Sequence, residues 1–339
     1  FGANQAGRDA AVARLQGAEA TMQDVRIAVA AEVGASYNAY RACEALVVQT
    51  EADARSRAET ARVTELAANA GLFAPASAAL ARASAAQGRS LLAGQQAQCE
   101  LRLKSLVALT GLEETALRNQ LAPRQAQLPV PAGIAVQSVP AVALKQRPDL
   151  IAAEQQIVAA AQDTTQSQAE RYPSIAIAGS VGPAWLRAGG ITTTGNLWVI
   201  GPVQVSLPIF DGGTRVANVV AARVRYDEAV SAYRGLIRGA VREVESALIT
   251  LDSSARRVAD TRVAVQGFEA SLKAADARFR GGLGSLFDLE DARRSALLAN
   301  STLIELQSEQ VAAWINLYRA LGGGWSPEAG TATADATPR

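Results

Sequence analysis

The residue types that carry most enzymatic chemistry are scarce in this sequence. Among its 339 residues there is no histidine, which excludes histidine metal ligands and every nucleophile that a histidine would activate. Cys43 and Cys99 lack the CxxC spacing, and both fall in helical patterns. We interpret them as two small buried thiols without a metal or redox role. The sequence gives no distance between them and leaves a disulfide open. It predicts no cofactor, no metal site and no enzyme.

Two carboxylates and two glycine clusters are the remaining candidates for chemistry. Asp288 and Asp291 are three positions apart, which places them on one face of a helix. On these residues alone, they are solvated acids in the first turns of a helix, where the dipole favours negative charge. The cluster Gly282-Leu283-Gly284 follows a helical pattern, and Gly322-Gly323-Gly324 ends one. Neither cluster follows a strand, so neither predicts a nucleotide site.

Composition narrows the possible partners. The 33 basic and 32 acidic side chains leave a net charge of +1, which gives no reason to expect nucleic acid as a partner. No apolar run approaches the roughly 20 residues that a membrane-spanning helix needs. The protein is therefore soluble, or its membrane part is β. Residue 1 does not open a signal peptide, because no basic segment precedes an apolar one there.

Two alanine-rich, nearly proline-free blocks predict long helices, at about 3–70 and about 214–280. In the second block, apolar residues recur at steps of three or four: Tyr226, Val230, Tyr233, Ile237, Ala240, Val244, Leu248 and Leu251. A continuous helix of that length is on the order of 100 Å long. Its apolar stripe must therefore pack on neighbouring helices in a coiled-coil-like assembly, and the alanines favour close approach.

The two blocks resemble each other. Three pairs of anchors share one separation of 211 positions: Glu32 and Glu243, Gly71-Leu72 and Gly282-Leu283, and Gly111 and Gly322. Each copy therefore predicts a long helix, a glycine turn, and a shorter helix of about 40 residues that ends at a second glycine. Chance similarity between alanine-rich helices is the alternative, but three anchors in one register favour an internal duplication.

Between the copies, the apolar period changes from that of a helix to that of a strand. Alternation is predicted in two runs, with these apolar positions: Ile175, Ile177, Gly179 and Val181, then Val199, Val203, Val205, Leu207 and Ile209. Ile200 breaks the second run. We predict a hairpin of membrane-crossing length, joined by the polar segment 187–196. Aromatic residues at the strand ends would form an interfacial belt: Tyr172, Trp185, Trp198 and Phe210. A soluble hairpin that caps a helical bundle is the alternative.

Four motifs occur in a characteristic order: Arg147-Pro148-Asp149 with Ala152-Ala153-Glu154, Tyr172-Pro173-Ser174-Ile175, Leu207-Pro208-Ile209-Phe210-Asp211-Gly212-Gly213, and Leu317-Tyr318-Arg319-Ala320-Leu321-Gly322-Gly323-Gly324-Trp325. In these motifs the sequence resembles the TolC-like outer membrane factor family, in the lipoprotein branch that serves resistance-nodulation-division pumps. The internal duplication, which was found independently, is also a property of that family.

The resemblance implies a mainly α fold, in which long antiparallel coiled-coil helices form a trimeric α-barrel and the β-hairpin contributes to a membrane β-barrel. It implies the outer-membrane exit channel of a tripartite efflux pump, a passive conduit for drugs or metal ions that extends into the periplasm of a Gram-negative bacterium. The implied partners are two further copies, a periplasmic adaptor, an inner-membrane pump and outer-membrane lipid. Alternatives are a channel for type I protein secretion and a soluble coiled-coil scaffold.

The resemblance also assigns site residues. Asp288 and Asp291 fall at the family's aperture, where threefold symmetry would make each a ring of three carboxylates that attracts cations. The periplasmic tip and adaptor contact would comprise Gly71, Leu72, Gly281, Gly282, Leu283, Gly284 and Ser285. Gly284 replaces a basic residue that is frequent in this turn, and Ser77 stands in the first copy where a carboxylate could stand. Arg278 or Arg280 is a candidate for holding the closed state.

The predicted organisation follows from these assignments: a first helical repeat (1–122, with its turn near 71–75), a linker (123–143), a helix of the second repeat (144–172), the hairpin (173–210), a second helical repeat (211–325, with its tip near 281–286) and a disordered tail (326–339). Only one hairpin is present, and Phe1-Gly2 resembles the point that follows the family's first hairpin. We therefore expect a signal peptide, a lipid-modified cysteine, a first helix and two strands to precede this chain.

Overall fold

The computed structural model describes residues 2–130 and 145–323. Its helices and strands, in chain order, are α1 (Ala3–Asn69), α2 (Pro75–Thr110), α3 (Glu114–Leu121), α4 (Pro148–Ala169), β1 (Ser174–Ala188), β2 (Ile191–Ser206), α5 (Thr214–Arg280) and α6 (Leu286–Ala320). Within the described ranges, none of the helices is both long and apolar enough to cross a membrane. Most of the predicted linker and the whole predicted tail lie outside the described residues. The expected mainly α fold with one hairpin is confirmed.

The internal duplication is visible in the helix lengths. α1 and α5 have 67 residues each, while α2 has 36 and α6 has 35. The starts of α5 and α6 lie 211 positions after the starts of α1 and α2, as predicted from the glycine anchors. Because α1 is one continuous helix, the first block does not divide into two.

The contacts group the chain into two compact units, of which the first comprises residues 1–23 and 148–238. In this unit, the beginning of α1 packs on α4 through small side chains. The buried alanines of α1 here are Ala6, Ala10, Ala13 and Ala20. A Cβ atom at Gly17 would lie 3.4 Å from the Cβ atom of Gln155. The alanine-rich composition therefore allows the close helix approach that was expected from it.

The same unit contains the hairpin, a two-stranded antiparallel sheet. Its strands extend further than predicted, because Ala188 pairs with Ile191 and leaves only Gly189-Gly190 as the turn. The predicted joining segment over 187–196 is therefore wrong. Both glycines have positive φ, 61° and 83°, as a two-residue hairpin turn requires. The threonines at 192–194 are polar, but threonine has a high strand propensity, so polarity alone was a poor indicator of a loop.

A bulge in β2 changes the pairing register part-way along the hairpin. Ile177 pairs with Val203, whereas Gly179 pairs with Ile200. Two residues of β2, Gly201-Pro202, therefore oppose a single residue of β1. Proline has no N–H to donate to the ladder, and bulges are one of the few places where a sheet accepts it.

The bulge determines which side chains share a face. Ile200 joins the face of Val203, and Val199 lies on the other face, so the predicted alternation over 199–209 is wrong for these two positions. β2 also ends at Ser206, before the predicted end of the hairpin. One face thereby carries eight large apolar side chains, four from each strand: Ile175, Ile177, Val181, Trp185, Trp198, Ile200, Val203 and Val205. The opposite face carries mostly smaller residues.

The second compact unit comprises residues 24–147 and 239–339. One of its buried clusters joins four helices where α1 and α5 end and α2 and α6 begin. Its members are Ala61 of α1, Ala81 and Ala85 of α2, Ala275 and Phe279 of α5, and Leu286 and Leu289 of α6. A second cluster lies between α1, α2 and α3, around Tyr40 and Leu103. A third holds α5 to α6 around Val244 and Leu317.

A disulfide joins α1 to α2 in this unit. The sulfur atoms of Cys43 and Cys99 are 2.06 Å apart, and their Cα atoms are 5.5 Å apart. The interpretation as two free buried thiols is therefore wrong. The CxxC test could not have found this bond, because it joins residues 56 positions apart on two antiparallel helices.

The end of α6 is held by a buried arginine. Arg147 directly precedes α4 and donates from Nη1 to the carbonyl oxygen of Ala320 at 3.0 Å and from Nη2 to Glu243 at 3.0 Å. Gly322, at φ 86°, passes so close that a Cβ atom would lie 3.1 Å from the carbonyl oxygen of Gln146. The first motif, at Arg147, and the described part of the last motif, residues 317–323, therefore lie in contact with each other.

Candidate functional site

The two long helices end in the same backbone motif. At each turn, the leucine N–H donates to the carbonyl oxygen five residues earlier, at 2.8 Å for Leu72 and 2.9 Å for Leu283. The glycine N–H donates to the carbonyl oxygen three residues earlier, at 3.0 Å for both Gly71 and Gly282. The glycines have φ of 76° and 70°. This is the Schellman ending, which requires a left-handed residue and therefore favours glycine.

The second turn leads directly into a capped helix. Ser285 Oγ accepts a hydrogen bond from the N–H of Asp288 at 3.1 Å, and Ser285 N–H donates back to Asp288 Oδ2 at 3.4 Å. This reciprocal pair is a capping box. A Cβ atom at Gly284 would lie 3.2 Å from the backbone nitrogen of Phe279. A side chain at position 284 would therefore crowd the end of α5.

The two predicted aperture carboxylates lie on the outside of the first turns of α6. Asp288 and Asp291 are exposed, while Leu286 and Leu289 of the same helix face the four-helix cluster. The capping role of Asp288 is a structural function that the aperture assignment did not include. Arg280 forms an ion pair at 2.8 Å with Asp276 of its own helix. The aperture role of the two carboxylates and the closing role of the arginines stay predictions.

The two tip turns lie beside each other. The rings of Phe73 and Phe279 stack with centroids 5.8 Å apart and planes 9° from parallel. Leu72 and Leu283 sit at the same position of their respective turns and are 78% and 85% exposed. Phe287, in the first turn of α6, is also exposed. The predicted tip residues are therefore brought together, and they present three large apolar side chains to the outside.

A buried ionic cluster, which the sequence reasoning missed, lies next to the tip. Arg57 of α1 donates from Nε to Asp53 Oδ2 at 2.7 Å and from Nη1 to Glu290 Oε2 of α6 at 3.0 Å. Ser84 of α2 also donates to Glu290 Oε2, at 2.8 Å. One carboxylate of α6 is thus bound by donors from two other helices.

Arg293 completes this cluster. It is 2% exposed, pairs with Glu290 one turn earlier in α6, and donates to the hydroxyls of Ser56 and Thr60 of α1. Burial lowers the pKa of Arg293, while the neighbouring Glu290 raises it. Asp53 Oδ1 and Arg293 Nε lie 4.0 Å apart, and neither has a hydrogen-bond partner. The two arginines and two carboxylates balance in charge, as burial requires.

The sequence did contain a signal for this cluster. On α6 the buried positions recur as Leu286, Leu289, Arg293 and Ala296, so one arginine occupies a place on the apolar stripe. A charged residue on such a stripe is costly unless it is paired, and it therefore predicts a buried partner. Glu290 is a local partner of Arg293, but the contributions of Asp53 and Arg57 could not be identified from sequence, because both are more than 230 positions away.

The predicted interface aromatics all lie in or beside the hairpin. Trp185 and Trp198 share its large apolar face, but both lie within the strands rather than at their ends. Tyr172 precedes β1, and Phe210 follows β2 with 92% of its surface exposed. The prediction that the two tryptophans lie at strand ends is therefore wrong. The membrane role of all four residues stays a prediction.

Comparison with known proteins agrees with this architecture. Residues 139–323 match the family model described as outer membrane efflux protein. The chain is 32% identical over 332 residues to the outer membrane protein OprJ of Pseudomonas aeruginosa, which covers 96% of this chain and 67% of that protein. It is 29% identical over 313 residues to the solvent efflux pump outer membrane protein SrpC of Pseudomonas putida, covering 91% and 65%.

The fold matches as well as the sequence. The outer membrane protein VceC of Vibrio cholerae superposes with a TM-score of 0.79 at 28% identity, over 96% of this chain and 77% of that one. The chain spans about two thirds of the length of the curated relatives it matches. The chain therefore belongs to the outer membrane efflux protein family.

Proposed function

We propose that this chain is part of the outer-membrane exit channel of a tripartite efflux pump, which conducts small molecules passively and catalyses no reaction. The observation that carries the proposal is the large apolar face of the hairpin. Its eight side chains, from Ile175 to Val205, are 59% to 83% exposed. Apolar area of this size on a two-stranded sheet has no stable place in water. Lipid would cover this apolar face, and strands from other chains would pair with the two open edges of the sheet.

In this proposal the channel is a homotrimer, and the four-helix end of the second unit is its periplasmic tip. Leu72, Leu283 and Phe287 are exposed there and would contact the periplasmic adaptor, which links the channel to an inner-membrane pump. The exposed carboxylates Asp288 and Asp291 would form two rings on the threefold axis and favour cations at the constriction. The name of SrpC, a solvent efflux pump protein, supports small molecules rather than proteins as cargo.

The proposal is tested on the natural protein that contains this chain, purified from its membrane. We expect it to sediment with the outer membrane, to need detergent, and to form a trimer after chemical crosslinking. In planar bilayers, the double variant Asp288→Asn with Asp291→Asn should shift the reversal potential toward anions by several millivolts in a salt gradient. Asp260→Asn, which changes an exposed acid of α5 outside the tip, is the matched control and should leave the reversal potential unchanged.

Three results would contradict the proposal. Solubility of the full-length protein without detergent would favour the coiled-coil scaffold. Unchanged selectivity in the double variant would remove the aperture role of the carboxylates. Loss of a secreted protein without a change in drug or metal susceptibility, after deletion of the gene, would favour protein secretion.

A further inference from the structure

The disulfide and the ionic cluster are separated by similar distances along α1 and along α2, which together form the first helical hairpin. On α1, Arg57 follows Cys43 by 14 positions, and on α2, Ser84 precedes Cys99 by 15 positions. At 1.5 Å per residue both separations are about 21 to 23 Å. The disulfide and the 2.8 Å hydrogen bond from Arg57 to Ser84 therefore describe one and the same register between the two helices.

The α6-binding socket, which we define as Arg57 and Ser84, exists only in that register. Glu290 Oε2 accepts from Arg57 at 3.0 Å and from Ser84 at 2.8 Å, so it needs one donor from each helix. If α2 slipped along α1 by one turn, the two donors would separate by about 5.4 Å. Glu290 could then reach only one of them, and a buried charge would lose a partner.

The cluster has little tolerance for such a slip. Asp53 Oδ1 and Arg293 Nε already lack hydrogen-bond partners, so a further lost contact would add to the buried polar atoms that have none. At Gly88 the two helices touch so closely that a Cβ atom would lie 3.3 Å from the Cα atom of Ala54. The packing therefore favours the same register but contributes only small side chains to hold it.

The second copy has neither the disulfide nor the socket. At the separation of 211, Cys43 and Cys99 correspond to Ser254 and Gln310, and Arg57 of the socket corresponds to Phe268, whereas Ser84 corresponds to another serine, Ser295. The cysteine pair and the arginine of the socket occur together in the first copy and are both replaced in the second. This asymmetry is what would be expected if the bond and the socket act as one device.

We infer that the Cys43–Cys99 disulfide presets the α6-binding socket, so that docking of α6 on the first hairpin becomes tight only after the two thiols are oxidised. Forming the bond removes two electrons and two protons from the thiols. The acceptor is a disulfide of the protein thiol–disulfide exchange class, which is reduced to a dithiol as the Cys43–Cys99 bond forms. The tip therefore assembles tightly only in a compartment that is oxidising enough for this bond to form.

The test is hydrogen exchange of the full chain in detergent, read over residues 286–300 of α6. Compared with the oxidised protein, the double variant Cys43→Ser with Cys99→Ser should exchange about tenfold faster there, because the docked state is less populated. Residues 148–169 of α4, which belong to the other compact unit, serve as the internal reference. Ser84→Ala keeps the disulfide, removes half of the socket, and should loosen the same segment.

A double-mutant cycle distinguishes a preset socket from general loosening. Glu290→Gln should accelerate exchange over 286–300 in the oxidised protein, and much less in the background that lacks both cysteines, because the socket is already poorly formed there. Equal effects in the two backgrounds would overturn the inference, as would unchanged exchange in the cysteine-free protein. If that variant does not fold, mild reduction and alkylation of the folded oxidised protein supply the same comparison, with the same two overturning results.

Discussion

Arg147 and Ala320 are joined by a 3.0 Å hydrogen bond from the guanidinium to the last carbonyl oxygen of α6. The side chain of Arg147 is only 10% exposed, so the carbonyl groups at the helix end receive a positive charge in place of water. We expect Arg147→Met to lower the free energy of unfolding by about 2 to 4 kcal/mol, because it leaves a buried carbonyl without its donor. Denaturant unfolding followed by circular dichroism measures the change.

Glu243→Gln is the matched control for this prediction. Glu243 is the other partner of Arg147, but its side chain is 51% exposed. Its loss should cost at most about 1 kcal/mol, as for other exposed ion pairs. If the two variants were equally destabilised, the ion pair rather than the capped carbonyl would be the important contact.

The two carboxylates Asp288 and Asp291 should differ in their effect on stability. Asp288 takes part in the capping box with Ser285, so Asp288→Ala should destabilise the start of α6 by about 1 kcal/mol. Asp291→Ala removes an exposed acid one turn later and should change stability by less than about 0.5 kcal/mol. Thermal unfolding of the two single variants checks the difference. A conductance change in the Asp291 variant would therefore reflect charge alone.

The bulge makes a prediction that strict alternation of β2 would reverse. Ile200 lies on the large apolar face and Val199 on the opposite face. If the apolar face contacts lipid, Ile200→Lys should lower recovery in the outer-membrane fraction strongly, at a cost of about 2 to 4 kcal/mol near the membrane centre. Val199→Lys should have a much smaller effect. Quantitative blotting of fractionated cells compares them, and the reverse order would place the bulge elsewhere.

Tyr40 should give the second unit a distinct alkaline response. Burial, and next the Glu44 carboxylate, raise the pKa of Tyr40 to about 12, whereas an unfolded tyrosine titrates near pH 10. Its stabilising contribution is therefore complete below about pH 10 and is lost as the pH rises through about 12. Between these values the melting temperature of the wild type should fall more steeply than that of Tyr40→Phe. Parallel curves would show that Tyr40 does not keep its proton in the folded state.

The lengths and the order of the helices could be predicted from the sequence because the signals that end a helix are local. Glycine at 71, 111, 282 and 322 ends a helix through the backbone conformation that it alone adopts easily, and the repetition at 211 positions makes each ending a check on the other. The hairpin was recognisable for the same reason. Its Gly189-Gly190 turn was missed because a run of threonines resembled a loop.

The contacts between helices that were missed depend on partners that are distant in sequence. Nothing local shows that Cys43 meets Cys99, or that Glu290 meets Arg57, because each pairing is set by the packing of whole helices. The bulge at Gly201-Pro202 was indicated only by the break in alternation at Ile200. A proline and a glycine next to such a break are a usable signal for a change of register.

The stacking of Phe73 on Phe279 links the lengths of the two copies. Seven residues added to α1 alone would shift one turn past the other by roughly 10 Å, which is far more than an aromatic contact can follow. Equal additions to all four long helices would leave both turns side by side. Insertions and deletions in these helices should therefore be tolerated only when both copies change by the same number of residues. The length of the helices would then change in both halves of the gene together.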